Sequence, residues 1–150
     1  MGQFATGITV VSTQVDDQPY GFTANSFASV SMEPPMILCC IKNESSFIEQ
    51  LKIAKKFTVS ILTVDQQDIS NLFANPHIES NERFKLHKSK VSPLGNPIIS
   101  NCLTWIDCEL SELYQAGDHQ ICIGLVRHMS VEHKDDDPLL YYSGSYHRLE

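Results

Sequence analysis

Short runs of apolar and β-branched residues recur along the chain at 8–13 (ITVVST), 20–24, 36–41 (MILCCI), 57–62 (FTVSIL), 102–113 (CLTWIDCELSEL), 119–131 and 139–143. Runs of this length, bounded by turn residues, read as strands. Asp16-Asp17-Gln18-Pro19 predicts the turn between the first two, because aspartate and proline favour turn geometry. Seven or so strands in 150 residues predict a barrel or sandwich.

Two segments switch to helical spacing. In 47–55 (FIEQLKIAK), Phe47, Ile48, Leu51 and Ala54 share one side, and Ser46 with Glu49 three positions on predicts a capping box. A second helix over about 65–74 starts at Asp65, buries Ile69, Leu72 and Phe73, and ends at Asn75-Pro76. From there to about residue 97 the chain is polar and punctuated by Pro93, Gly95 and Pro97, which predicts a long surface excursion of the kind that is often functional. No repeat or linker divides the chain, so residues 1–150 are expected to form a single domain.

Composition narrows the classes. No apolar run approaches the roughly 20 residues of a membrane span, and MGQFATGITVVST lacks the basic start and apolar block of a signal peptide. A cytoplasmic chain with no membrane partner is expected. Net charge is −7, which repels a polyanion and argues against nucleic acid. Residues 83–90 (RFKLHKSK) nevertheless hold four of the eleven Lys and Arg; they read as a solvated loop or as the neighbour of a small anionic ligand.

Cys39, Cys40, Cys102, Cys108 and Cys122 all sit in strand-like segments, where free thiols serve as small hydrophobes. Adjacent Cys39 and Cys40 point to opposite faces of a strand, and no His or Cys pair has zinc-site spacing, so no metal is expected. MILCCI is a poor setting for a reactive thiolate. Ser26 lacks the G-x-S-x-G elbow, and the phosphate loops G-x-x-x-x-G-K-[ST] and G-x-G-x-x-G are missing.

What remains is GFTANSFASVSMEPPMILCC, residues 21–40. Thr23, Asn25, Ser26, Ser29 and Ser31 offer short donors and acceptors beside little-shielded backbone, against which a planar polar ring could lie. Lys42 and Ser45-Ser46 at a helix start offer charge, hydroxyls and free N–H groups suited to a terminal phosphate. A serine-rich turn and an ordinary helix cap are the alternative reading of the same residues.

The order FATGITVVST, GFTANSFASVSMEPPMILCCI, an SSF helix start, PLGNPIISNCLTWIDCEL, GDHQICIGLV and PLLYYSGSYHRL resembles the flavin reductase-like family, the FMN-binding split barrels. The likeness is greatest to the reductase components of two-component flavin monooxygenases and covers about residues 3–149. It implies a mainly β fold, a six-stranded Greek-key split barrel with a few flanking helices. It also implies a homodimer with flavin sites near the subunit interface, reduction of FMN or FAD by NADH or NADPH, and a partner monooxygenase that receives reduced flavin. Members usually carry about a helix more ahead of the GQFATG block.

Carried over by position, Thr23, Ala24, Asn25, Ser26, Phe27, Ala28 and Ser29 correspond to the loop that holds the flavin ring and ribityl chain, continued by Ser31 and Met32. The resemblance puts Cys40, Ile41 and Lys42 at a strand end beside the flavin and Ser45, Ser46 and Phe47 on its phosphate side. It matches Arg83 and Phe84 to a basic-aromatic pair on the long excursion. His119 falls on the nicotinamide side as the expected catalytic residue, with Tyr142 and Tyr146 on the same side. Backbone amides of the 24–29 loop are expected at the flavin's carbonyl edge, and Pro34-Pro35 is expected to turn that loop toward the 42–47 segment. Alternatives are an FMN-binding electron carrier or sensor without efficient NAD(P)H turnover, and an interaction module that binds no flavin.

Overall fold

The computed structural model describes residues 2–150. β2 (Thr9–Val15) and β3 (Gln18–Ala24) form a hairpin whose turn residues, Asp16 and Asp17, both take positive φ, the geometry of a tight I′ turn. β4 (Phe27–Met32) and β5 (Pro35–Lys42) form a second hairpin, followed by α1 (Phe47–Ala54) and β6 (Lys56–Ile61). β9 (Thr104–Ala116) and β10 (His119–Val131) form the third and longest, closed by Gly117-Asp118 with Gly117 at φ 63°.

These strands make one antiparallel sheet in the order β3-β2-β6-β9-β10-β5-β4. Its two edges, β3 and β4, are consecutive in the chain and joined only by Asn25-Ser26. Seven strands laid flat would separate the edges by roughly 29 Å, whereas three Cα steps reach at most about 11 Å. The sheet therefore curls until its edges approach at that end, and the connection lies where the barrel splits.

The sheet has seven strands rather than the expected six, because 27–32, read from sequence as part of a loop, pairs with β5. The register shifts between Ser29 and Ser31, leaving Val30 as the extra residue of a bulge. Ala28, Ser29 and Ser31 dilute the strand signal here, and Val30 and Met32, which alternate with the serines, face solvent instead of the core.

Inside the barrel, Val11, Cys39, Phe57, Val59, Cys108 and Cys122 pack with Phe47, Ile48 and Leu51 of α1. All five cysteines are free thiols, and none of the described residues forms a metal-binding cluster. Gly124 sits at a β10 bulge, where an added Cβ would lie 2.5 Å from the Phe57 ring and 2.9 Å from Cys108 Cβ. Gly124→Ala is expected to destabilise the fold by about 1–3 kcal/mol, the usual cost of overpacking, measured as a lower urea midpoint.

A second core cluster, Ile8, Val10, Leu62, Phe73, Ile99 and Leu139, lies beneath α2 (Gln67–Ala74), α3 (Ser80–Leu86) and a small sheet. That sheet joins β1 (Thr6–Gly7) to a terminal hairpin of β11 (Leu140–Tyr142) and β12 (Ser145–His147). β7 (Ser89–Val91) pairs with β8 (Pro97–Ile99). The 75–97 excursion thus contains α3 and a two-stranded sheet rather than irregular chain. α3 buries none of its residues fully, so it lacks the apolar stripe from which it would have been read.

Both helix starts differ from expectation. Ser46 is itself helical and makes no side-chain cap; the Phe47 N–H donates to Ser45 Oγ instead (3.3 Å), and Glu49 pairs with Lys52. The capping box belongs to Thr63 and Gln66, ahead of a 3-10 turn over Val64–Gln66 that leads into α2. Of the three α2 residues expected inside, Phe73 is buried, while Ile69 and Leu72 are half-buried.

Candidate active site

A cavity of about 750 Å³ opens where the barrel splits. Thr23, Ala24, Asn25 and Ser26 form one wall, and Cys40, Ile41 and Lys42 at the end of β5 form the next. The two walls are tied together, since the Cys40 N–H donates to Ser26 O (3.3 Å) and Oγ (3.1 Å). The antiparallel pairing Phe27↔Cys39 creates this juxtaposition. The Glu33-Pro34 turn lies at the far end of that hairpin, so the proline pair does not fold around the cavity.

Leaving the ladder frees donors. Among the described residues, the N–H groups of Asn25 and Ser26 have no backbone acceptor. Thr23 is committed elsewhere, its hydroxyl donating to Ser70 O at 2.6 Å. Cys40 turns toward the cavity while Cys39 faces the core; burial, followed by the neighbouring Cys39, raises the Cys40 thiol pKa. A thiol so held is a poor nucleophile.

Ser45 and Ser46 complete the polar side, and Phe47, buried, adds an apolar surface beside them. Ser46 is exposed and its hydroxyl has no hydrogen-bond partner among the described residues, and the same holds for the Lys42 ammonium.

His119 enters from the β9–β10 hairpin, opposite Lys42 in register. Its Nδ1–H donates to Asp118 Oδ1 at 2.7 Å, and this hydrogen bond is the main cause of a lowered Asp118 pKa. The hairpin tip is pinned by Asn43, whose N–H donates to Asp118 O (2.9 Å) and whose side-chain amide donates to Gly117 O (3.2 Å). With Nδ1 occupied, Nε2 is the ring nitrogen left for a ligand.

Other expected residues lie apart. Phe27, Ala28, Ser29, Ser31 and Met32 do not line the cavity, because β4 runs away from it along β5 and exposes most of its side chains. Phe84 packs edge-on against Phe73, ring centroids 4.9 Å apart, over Gly21. Tyr142 donates to Gln3 Oε1, and Tyr146 bonds to Ser70 and Asn71, so both serve the terminal hairpin on the other side of α2.

Arg83 does line the cavity, but its guanidinium is spent on main-chain carbonyls: Gly21 (2.8 Å), Phe73 (3.2 Å), Asn75 (2.7 Å) and Ile78 (2.9 Å). Burial lowers its pKa. With Lys85 on Glu82 and Lys90 on Glu132, the basic run forms no joint anion site. Its first residue clamps α3 to the edge of β3, where Ser80 Oγ also accepts the Gly21 N–H (2.8 Å). The sequence reading missed the cavity walls contributed by 18–22, Glu44 and 74–81. Gly21 inside a strand is the signal that could have found them, since such a glycine marks a close approach.

The donor set suits a flat polar ring with a phosphate tail: two free amides at a strand end, then a free ammonium and hydroxyl at a helix start. The family profile for the flavin reductase like domain matches residues 1–150. The chain belongs to the flavin reductase-like family. The reductase subunit HsaB of a flavin-dependent monooxygenase from Mycobacterium tuberculosis is 38% identical over 151 positions, covering 100% of this chain and 79% of that protein. The reductase component of the trigonelline monooxygenase from Acinetobacter baylyi is 42% identical over 97% of this chain and 46% of its own length.

Among solved structures, nitrilotriacetate monooxygenase component B from Mycobacterium thermoresistibile superposes with TM-score 0.93 at 34% identity, over 99% of this chain and 82% of that one. The NADH:FAD oxidoreductase SgcE6 of Streptomyces globisporus C-1027, in complex with NAD and FAD fragments, does so with TM-score 0.93 at 30% identity, over 99% and 88%. The split-barrel fold and an oxidoreductase activity on flavin with NAD(P)H follow from this membership.

Proposed function

We propose that this cavity binds FMN or FAD along the Asn25-Ser26 connection, takes NADH or NADPH on the His119 side, and releases reduced flavin to a partner monooxygenase. The observation that carries the assignment is the meeting of 23–26, 40–42, 45–47 and His119 around one space. When bound, flavin and nicotinamide supply the hydride exchange themselves, leaving the protein to bind, align and tune them.

The Asn25 and Ser26 amides hold the ring's carbonyl edge and stabilise negative charge there, as oxyanion-hole donors do. Lys42 and Ser46 hold the phosphate, while Ile41 and Phe47 form the apolar floor. His119, oriented by Asp118, would hold the nicotinamide or its ribose through Nε2 and so align it for hydride exchange. A homodimer is the unit we assign, supported by the open edge of β4, where Val30 is 47% and Met32 87% exposed. A cytoplasmic location fits the free thiols; no described helix is long and apolar enough to cross a membrane.

The deciding experiment follows NADH and NADPH oxidation at increasing FMN and FAD. Saturable flavin-dependent turnover is the expected result; tightly bound yellow protein without turnover would instead identify an electron carrier. His119→Ala is expected to raise KM for the nicotinamide about tenfold, the loss of one strong hydrogen bond, while the flavin Kd stays within about twofold. Equal loss of both would remove His119 from the nicotinamide side.

A further inference from the structure

Every residue from Cys40 to Phe47 lines the cavity except Asn43. Asn43 follows the last rung of the β5–β10 ladder, Lys42↔His119, and reaches across to the turn that carries His119. Its N–H donates to Asp118 O (2.9 Å) and its side-chain amide to Gly117 O (3.2 Å). From β9, Gln115 Nε2 donates to the same Gly117 O (2.7 Å) and more loosely to His119 O (3.4 Å). Two side-chain amides from different strands thus converge on one carbonyl of a two-residue turn, outside the cavity they border.

The turn does not need these bonds in order to close. Gly117 takes φ 63° with nothing within 4 Å of an added Cβ, and a glycine first in a two-residue loop forms a II′ turn by itself. Behind it β9 and β10 pair from His119↔Ala116 to Val131↔Thr104. Asn43, Gln115, Gly117 and Asp118 are all exposed, where a hydrogen bond adds little to global stability because water replaces it. What the amides fix is direction. The Asp118 side chain is 93% exposed and its carboxylate accepts the His119 Nδ1–H at 2.7 Å. So open a carboxylate can orient a ring only if the main chain beneath it is held.

We propose that Asn43 and Gln115 are positioning residues for His119. By clasping Gly117 O they hold the turn, the turn holds the Asp118 carboxylate, and the carboxylate keeps the imidazole in the orientation that leaves Nε2 for a ligand. Neither amide touches flavin or nicotinamide. The inference rests on the assignment of His119 to the nicotinamide side.

The test compares wild type with the double variant Asn43→Ala/Gln115→Ala, each with and without His119→Ala. With no cofactor present, the NMR order parameter of the Asp118 amide is expected to fall from about 0.85, the value of rigid backbone, toward about 0.6 in the double variant. Its KM for NADH is expected to rise about fivefold, while the FMN Kd and the urea midpoint stay near wild type. On the His119→Ala background the same two substitutions are expected to add less than about twofold, because residues that act through one another are not additive. A full fivefold rise on both backgrounds would mean that the amides act without His119 and would overturn the proposal. So would an unchanged Asp118 order parameter, or a wild-type KM in the double variant where His119→Ala alone raises it. A lowered order parameter beside a His119→Ala variant of unchanged KM would uphold the clasp and remove only the nicotinamide assignment.

Discussion

Replacing Asp107 by alanine is expected to lower the unfolding free energy by about 3–5 kcal/mol, the range reached when several buried donors lose their acceptor together. Asp107 on β9 is fully buried. Its Oδ1 accepts from Thr58 Oγ1 (2.7 Å) and Asn96 Nδ2 (2.9 Å), and its Oδ2 accepts the Leu94 N–H (2.9 Å). Ser12 Oγ donates to Pro97 O (2.6 Å) nearby, so the 92–97 loop is sewn to β2, β6 and β9 by polar contacts rather than apolar packing. The loss should appear as a lower urea midpoint at unchanged slope. Thr58→Val removes one partner only and should cost about 1–2 kcal/mol. None of these residues lines the cavity, so the folded fraction of Asp107→Ala should keep wild-type flavin affinity. A change below about 1 kcal/mol would mean that water replaces the carboxylate freely.

Much of the frame was legible because it is written in local chemistry. β2, β5, β6 and β10 carry β-branched and apolar runs that no helix period explains, and the Asp16-Asp17 turn announces the first hairpin. The rest is decided by contacts distant in sequence. β4 is a strand because β5 presents a ladder to it, while Ala28, Ser29 and Ser31 signal nothing by themselves. α3 is held by one guanidinium on four carbonyls and by Phe84 over Gly21, a clamp that composition renders as a basic loop.

The site divides in the same way. Thr23 to Ser26, Cys40 to Lys42, Ser45 to Phe47 and His119 meet around the cavity, and it was the resemblance, not spacing, that grouped them. Tyr142 and Tyr146 do not reach that cavity, since the terminal hairpin packs across α2. Glu79 and the lower half of β3 escaped notice because their proximity exists only once Arg83 has drawn the 73–83 segment onto the edge strand.

Lys42→Glu is expected to weaken FMN binding by about tenfold or more while leaving riboflavin, which lacks the phosphate, within about twofold. Two cations border the cavity, Lys42 and Arg83. Arg83 has four of its N–H bonds committed to carbonyls, whereas the Lys42 side chain is exposed, has no hydrogen-bond partner among the described residues and interacts only at longer range with the Asp118 carboxylate. A charge-assisted hydrogen bond to phosphate contributes about 1.5–3 kcal/mol. Solvent screening at an exposed position pulls the value toward the lower end. The same term should make FMN affinity fall as salt rises, and Lys42→Glu should flatten or reverse that slope. Ser46→Ala, which removes a neutral donor, should cost about 0.5–1.5 kcal/mol with the same selectivity. Fluorescence titration of both flavins separates the outcomes. Equal losses for FMN and riboflavin would place Lys42 against the ring, and an unchanged FMN Kd would shift the phosphate to the remaining Arg83 N–H.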